Sequence, residues 1–361
     1  MYGLKKNIID YKRKDYSDKL PDFEYILYCS LVTNPWGYTP QLKFTKELIE
    51  GIREYPHTEE EMKRKLIEKY SNEVKLDSSM ISLSLGSIGA LMTFNRMFLD
   101  KGKVIIGVAP QFPAAIDDFN LYEAVYKPVF LRKENNYKFD IGDFIEAVSV
   151  NPGAYIYIDN PNNPTGQIIP LSELDMIISK AKEMESFVLI DEAYGDYMDF
   201  KDSSVNLINK YDNLGVVRTF SKALGGAGLR LGYAISNVDI MKQYEKVNIP
   251  FSMTHISGSL ALELMDNDWI NYCHDKVVDG KTELLTSLRK LKHGETSVNV
   301  PITMLYTDED DIDLERVMEK AGMKVISCES YEGLEKNAVR VNLNQDMETM
   351  IALVKKTEDM I

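Results

Sequence analysis

Cysteine is scarce. The 361 residues contain only Cys29, Cys273 and Cys328, odd in number and without metal-ligand spacing. A disulfide framework and a thiolate zinc site are therefore excluded, and a reducing cytoplasm is the expected location. The four histidines, His57, His255, His274 and His293, are isolated from one another, so no metal centre is expected. Positive charge is in deficit: 42 Lys and Arg stand against 56 Asp and Glu, a net charge of -14, which argues against nucleic acid or an anionic membrane as partner. Long apolar runs are absent, and the opening Met1-Tyr2-Gly3-Leu4-Lys5-Lys6 lacks the apolar core of a signal peptide. Neither an internal repeat nor a low-complexity linker interrupts the chain. A length of 361 residues sets an expectation of two domains with ample chain to bury their cores.

What is present centres on Lys222. The segment Thr219-Phe220-Ser221-Lys222-Ala223-Leu224-Gly225-Gly226-Ala227-Gly228-Leu229-Arg230 sets one amine among small residues, hydroxyls and an arginine. A lysine on a glycine-rich turn can form a Schiff base with an aldehyde, while Thr219, Ser221 and Arg230 supply donors suited to a phosphate ester. The aldehyde phosphate that fits is pyridoxal 5'-phosphate. A solvated loop would explain the segment equally well were it alone, but it has companions. Val188-Leu189-Ile190-Asp191-Glu192-Ala193-Tyr194 is an apolar strand-like run ending in an acid, and ligands in open α/β sheets bind at such carboxyl ends. A carboxylate there, Asp191, can keep a pyridine nitrogen protonated and make the ring an electron sink. Tyr194 would face the 3-oxygen of that ring. Asn163, in the turn Asn160-Pro161-Asn162-Asn163-Pro164-Thr165-Gly166 after the strand-like Ala154 to Ile158, would join it.

The ordered set NPNNPTG, IDEAY and TFSKALGGAGLRLGY resembles the fold-type I pyridoxal-phosphate enzymes of aminotransferase class I/II, in particular the histidinol-phosphate aminotransferase-like branch. The similarity runs from about Asn34 to Arg340. It implies an α/β fold: a large domain over 38–250 with a mostly parallel, seven-stranded type of sheet covered by helices, and a smaller α+β domain formed by 1–37 and 251–361. It implies Lys222 as the Schiff-base lysine, with Asp191 and Tyr194 as its catalytic companions. Ser87 and the Ile88 amide, at a glycine turn that opens a helix, would cradle the cofactor phosphate together with Thr219, Ser221 and Arg230. Phe112 takes the position of a ring-stacking aromatic. Asn34, in Asn34-Pro35-Trp36-Gly37, matches a stretch lying over the substrate. Arg340, in Ala338-Val339-Arg340-Val341-Asn342, matches the arginine that grips the substrate α-carboxylate. Tyr55 of Tyr55-Pro56 matches a phenol that reaches the partner subunit's phosphate, so a homodimer is implied.

One departure stands out. The branch places a second arginine for a substrate phosphate shortly before the Arg340 strand, where this chain has Lys324-Val325-Ile326-Ser327-Cys328-Glu329. The expected activity is therefore transfer of an amino group from an unphosphorylated α-amino acid to a 2-oxo acid through a Lys222 aldimine. Decarboxylation or oxidation of amino acids on the same scaffold is the alternative, and a non-catalytic nucleotide-binding module the distant one. Secondary structure is expected as alternating strands and helices up to about 250, with helices over 59–70 and 171–184. Beyond lie one long amphipathic stretch from Leu260 to Leu288, strands near 297–306, 324–327 and 338–343, and a helix over 313–320.

Overall fold

The computed structural model describes residues 2–12 and 24–361. Its strands in chain order are β1 (Leu27–Tyr28), β2 (Ile81–Ser84), β3 (Val104–Ala109), β4 (Val125–Phe130), β5 (Tyr155–Asp159), β6 (Phe187–Asp191), β7 (Leu214–Thr219), β8 (Gly232–Ser236), β9 (Lys292–His293), β10 (Ile302–Tyr306), β11 (Met323–Lys324), β12 (Ile326–Ser327) and β13 (Ala338–Asn342). Seven of them form one sheet in the order β2-β8-β7-β6-β5-β3-β4. Its neighbours are parallel except at β8, which runs antiparallel to both β2 and β7.

Both faces of the inner strands β5, β6 and β7 are buried, which is why they read as largely apolar runs rather than as alternating ones, while the edge strand β4 is partly exposed. The alternation is still there in which core each side chain joins. Ile156, Ile158, Val188 and Ile190 enter one cluster, while Tyr155, Tyr157, Phe187 and Leu189 enter a second on the other face. Truncating Ile158 or Leu189, both fully buried, to alanine is expected to cost about 2–5 kcal/mol. The helices Gly86–Phe98 and Pro113–Leu121 supply Leu91, Phe94 and Phe119 to the second cluster, and Ile141–Ser149 and Leu171–Glu183 supply Phe144, Leu174 and Ile178 to the first.

A four-stranded sheet, β12-β13-β10-β9, and the β1-β11 pair build a separate core with the helices Leu314–Ala321 and Met347–Met360. Tyr194, Tyr197 and Ala223, from loops of the large sheet, reach into that core.

Three sequence expectations shift. The long amphipathic stretch is two helices, His255–Met265 and Trp269–Ser287, separated by a turn in which Asn267 Oδ1 accepts the Trp269 amide at 2.9 Å. The helix expected from Asp313 spans Leu314–Ala321, since Asp313 is its cap, accepting from the Arg316 amide at 3.2 Å. The single strand expected over 324–327 is divided at Val325: β11 pairs in parallel with β1, and β12 antiparallel with β13. No helix among the described residues is long and apolar enough to cross a membrane.

Candidate active site

The adjacent strands β5, β6 and β7 end in Asp159, Asp191 and Thr219, all three at the wall of one cavity of about 360 Å3. Carboxyl ends of strands are where open α/β sheets leave room for ligands, because the following loops diverge there. Asp191 is buried; its Oδ2 accepts the Tyr157 hydroxyl at 3.0 Å and its Oδ1 the Ala193 amide at 3.0 Å. Burial lifts its pKa to about 6, against the pull of those hydrogen bonds and of Lys222.

After β7 the chain turns sharply. Thr219 Oγ1 donates to Ser221 Oγ at 2.9 Å and accepts the Ser221 amide at 3.2 Å. Gly225, at φ +71°, brings its backbone against Gly37, where a Cβ would collide with the Gly37 carbonyl. Arg230 takes the left-handed conformation at φ +51° and points its Nη1 back to Ser221 Oγ at 3.4 Å and the Ala227 carbonyl at 2.8 Å. Gly232 lets this turn pack on the start of the helix Gly86–Phe98, since a Cβ there would lie 2.6 Å from the Ser87 nitrogen. That helix has no side-chain cap among the described residues, and its Ser87 and Ile88 line the cavity. Ser87, Thr219, Ser221 and Arg230 thus face one space with the free first amides of a helix, a donor set for an anion.

Lys222 Nζ donates to the Val32 carbonyl at 2.6 Å and stands 5.4 Å from the centre of the Tyr194 ring. Burial brings its pKa down to about 7, helped by Arg340 and Arg230 and opposed by Asp191. Burial also pushes the Tyr194 phenol well up, although Arg340 draws it the other way.

The opposite wall comes from the small sheet and the N-terminal segment. Arg340 on β13 donates from Nη1 to the Tyr331 hydroxyl at 2.8 Å and Asn163 Oδ1 at 3.3 Å, and from Nη2 to the Ser30 carbonyl at 2.8 Å. Its buried Nε has no hydrogen-bond partner among the described residues. Asn163 Oδ1 also accepts the Tyr331 hydroxyl at 3.0 Å.

Of the residues singled out in the sequence, Ser87, Ile88, Phe112, Asn163, Asp191, Tyr194, Thr219, Ser221, Lys222, Arg230 and Arg340 all line this cavity. Asn34 and Tyr55 do not. Asn34 is buried beside it, with both ends of its amide engaged, donating to the Ala223 carbonyl at 2.7 Å and accepting the Trp36 amide at 2.9 Å, so it braces the lysine loop. Tyr55 is 70% exposed and packs on Phe251 with ring centres 4.7 Å apart. Lys324 is tied to Glu315 at 3.0 Å and Glu319 at 3.2 Å, and from its stretch only Ile326 lines the cavity. Sequence reasoning passed over Asp159, Tyr157, Tyr331 and Ser30. Asp159 carried a usable signal, an acid closing the apolar run Tyr155 to Ile158 as Asp191 closes its own.

Fold and cavity together define a fold-type I pyridoxal-phosphate enzyme: an open sheet with an anion cup, a buried amine and a buried carboxylate facing the same space. The model of the family "Aminotransferase class I and II" matches residues 40–356, and the chain belongs to that family. It is a pyridoxal-phosphate-dependent aminotransferase. The histidinol-phosphate aminotransferase of Clostridium novyi (strain NT) is 32% identical over 312 residues, covering 83% of this chain and 82% of the relative. A histidinol-phosphate aminotransferase from Sinorhizobium meliloti, solved in complex with pyridoxal-5'-phosphate, superposes with a TM-score of 0.77 at 18% identity, over 94% of this chain and 92% of that one. The L-threonine-O-3-phosphate decarboxylase of Porphyromonas gingivalis shares the fold with a TM-score of 0.74 at 20% identity, over 93% of this chain and 99% of that one.

Proposed function

We propose that Lys222 is the residue that bonds the cofactor and moves the proton at the donor's Cα, and that the donor is an unphosphorylated α-amino acid. When bound, pyridoxal phosphate supplies an aldehyde that condenses with amines and a ring that accepts electrons from Cα. Ser87, Ile88, Thr219, Ser221 and Arg230 would hold its phosphate, and Asp191 would keep the ring nitrogen protonated. Tyr194 and Asn163 would serve the 3-oxygen, and Phe112 would stack on the ring. The observation that carries this reading is the buried Lys222 amine, brought down to about 7 and sharing one cavity with Asp191 and Arg340. An amine that is substantially neutral, about half, near pH 7 can attack an aldehyde and can accept a proton.

Arg340 binds the donor's α-carboxylate. Its fork already lies in the cavity, and the Tyr331 hydroxyl and Ser30 carbonyl fix its plane. Beyond Lys222, Arg230 and Arg340, no lysine or arginine lines the cavity among the described residues, and the nearby Lys324 is neutralised by Glu315 and Glu319. A phosphate on the donor would therefore lack a cation of its own among the described residues. We further propose that 38–250 forms the large cofactor-binding domain and that 1–37 with 251–361 forms the smaller one. In a homodimer, the exposed Tyr55 would reach the partner's phosphate site.

The test is borohydride reduction of the loaded enzyme followed by peptide mapping, alongside a donor panel with mass spectrometry of the oxo products. The pyridoxyl mass should fall on the Lys222 peptide, and amino acids should outrun histidinol phosphate. A label on another lysine removes the Lys222 assignment, and efficient turnover of histidinol phosphate removes the substrate reading.

A further inference from the structure

β5 and β6 end in register, so Asp159 stands beside Asp191, two buried carboxylates on one cavity wall. Only Asp191 has a part in the chemistry proposed above. The hydrogen bonds of Asp159 are to the protein itself. Its Oδ2 accepts the amide of Phe112 at 3.2 Å and the amide of Asn163 at 3.0 Å, and its Oδ1 accepts Asn162 Nδ2 at 2.9 Å. These donors belong to two loops, one following β3 and one following β5. The loops are tied a second time by Asn162 Nδ2, which donates to the Pro110 carbonyl at 3.0 Å. Placing a carboxylate here is costly, and burial holds its pKa up near 7 despite three hydrogen bonds. A residue that served packing alone would avoid that cost by being apolar.

We infer that Asp159 is a positioning residue that sets where the Phe112 ring and the Asn163 amide stand relative to each other, and so how the cofactor ring is held between them. One oxygen receives both amides, so a shift of either loop breaks one of the two bonds. The arrangement needs an acceptor at that point rather than a charge, because every donor is neutral. Asparagine at 159 would keep both amide bonds through its oxygen and lose only the bond from Asn162. Alanine would lose all three. The inference rests on the cofactor reading of this cavity, and borohydride labelling of Lys222 in each variant keeps the two separable.

The experiment strips Asp159→Ala, Asp159→Asn and wild-type holoenzymes of cofactor and titrates each with pyridoxal phosphate, following Kd and the induced visible circular dichroism of the bound ring. Asp159→Ala should raise the Kd roughly three- to tenfold, the scale of a lost aromatic stack, and weaken the dichroism, while Asp159→Asn stays within about twofold of wild type. Phe112→Ala should then cost less affinity in the Asp159→Ala background than in wild type, since the two changes act through the same ring. Equal loss in the Asn and Ala variants, no loss in either, or full additivity with Phe112→Ala would each overturn the inference. Should Asp159→Ala fail to fold, Asp159→Leu, which has a similar volume and no acceptor, takes its place beside Asp159→Asn and is read by the same outcomes.

Discussion

The two walls of the cavity are built differently. One comes from a single sheet: Asp159, Asp191 and Thr219 close three neighbouring parallel strands, and Lys222 and Arg230 follow within one loop. The other is assembled from Ser30, Ile326 and Arg340, with the Tyr331 hydroxyl bonded to Arg340, and these meet only because the N-terminal segment and the small sheet converge. The first wall carries the groups proposed to hold the cofactor, the second those proposed to hold the donor. The residues proposed to act on the cofactor follow the strands of one sheet. Residues that choose a donor come from segments that can vary independently of the sheet.

Breaking the first wall should have the largest effect. Lys222→Ala is expected to lose turnover by several orders of magnitude while keeping part of its cofactor affinity through the phosphate donors, measured by steady-state rates and cofactor titration. Loss of affinity without loss of turnover would mean that another lysine does the chemistry.

The second wall should answer with a selective loss. Arg340→Lys removes a bidentate fork and is expected to cost about 2–4 kcal/mol, roughly thirty- to a thousand-fold in kcat/KM for amino acids, with little effect on an amine that lacks a carboxylate. An equal loss for both donors would mean that Arg340 is structural, holding Tyr331 and Ser30 rather than substrate.

A pH experiment sharpens the contrast further. Lys222 falls from 10.5 to about 7, so apoprotein below pH 7 holds the amine protonated and unable to attack an aldehyde. The rate of cofactor capture should rise about tenfold per pH unit up to roughly pH 7 and flatten above it. An inflection near 10 would mean a solvated lysine. The same depression has a sign for stability: the folded state favours the neutral amine, so this contribution is present above 10.5 and is lost as pH falls toward 7.

The smallest effect is expected at Lys324. Its ammonium is already engaged by Glu315 and Glu319, so Lys324→Ala should change kcat/KM for phosphorylated and unphosphorylated donors alike by less than about threefold. A selective loss with a phosphorylated donor would show that the lysine turns into the cavity during catalysis.

The same asymmetry governs what could be read in the chain. Asp191, Asn163 and Lys222 were legible because each lies in a contiguous segment whose local pattern, an apolar run closed by an acid, a turn of Asn and Pro, or an amine among glycines, states its own chemistry. Asp159 closed an apolar run in the same way, yet was assigned neither to the strand before it nor to the turn that follows. Arg340 was found only through family resemblance, because an arginine on a strand has no local mark of its partner. Tyr331 and the Ser30 carbonyl carried no signal at all. The division of 324–327 between two sheets was equally invisible, since β11 and β12 are two residues each and their partners lie at Leu27–Tyr28 and in β13.

Short-range periodicity and motif chemistry by themselves determined an α/β sheet covered on both faces and the residues at its strand ends, because strand burial and turn geometry are properties of a few neighbouring residues. Tertiary structure alone decided that Lys222 loses its solvent and comes down to about 7, that Asn34 braces the lysine loop instead of facing the cavity, and that Lys324 is bound to two carboxylates. Desolvation and ion pairing depend on which distant segments close around a group, and the chain specifies those contacts only through the whole fold.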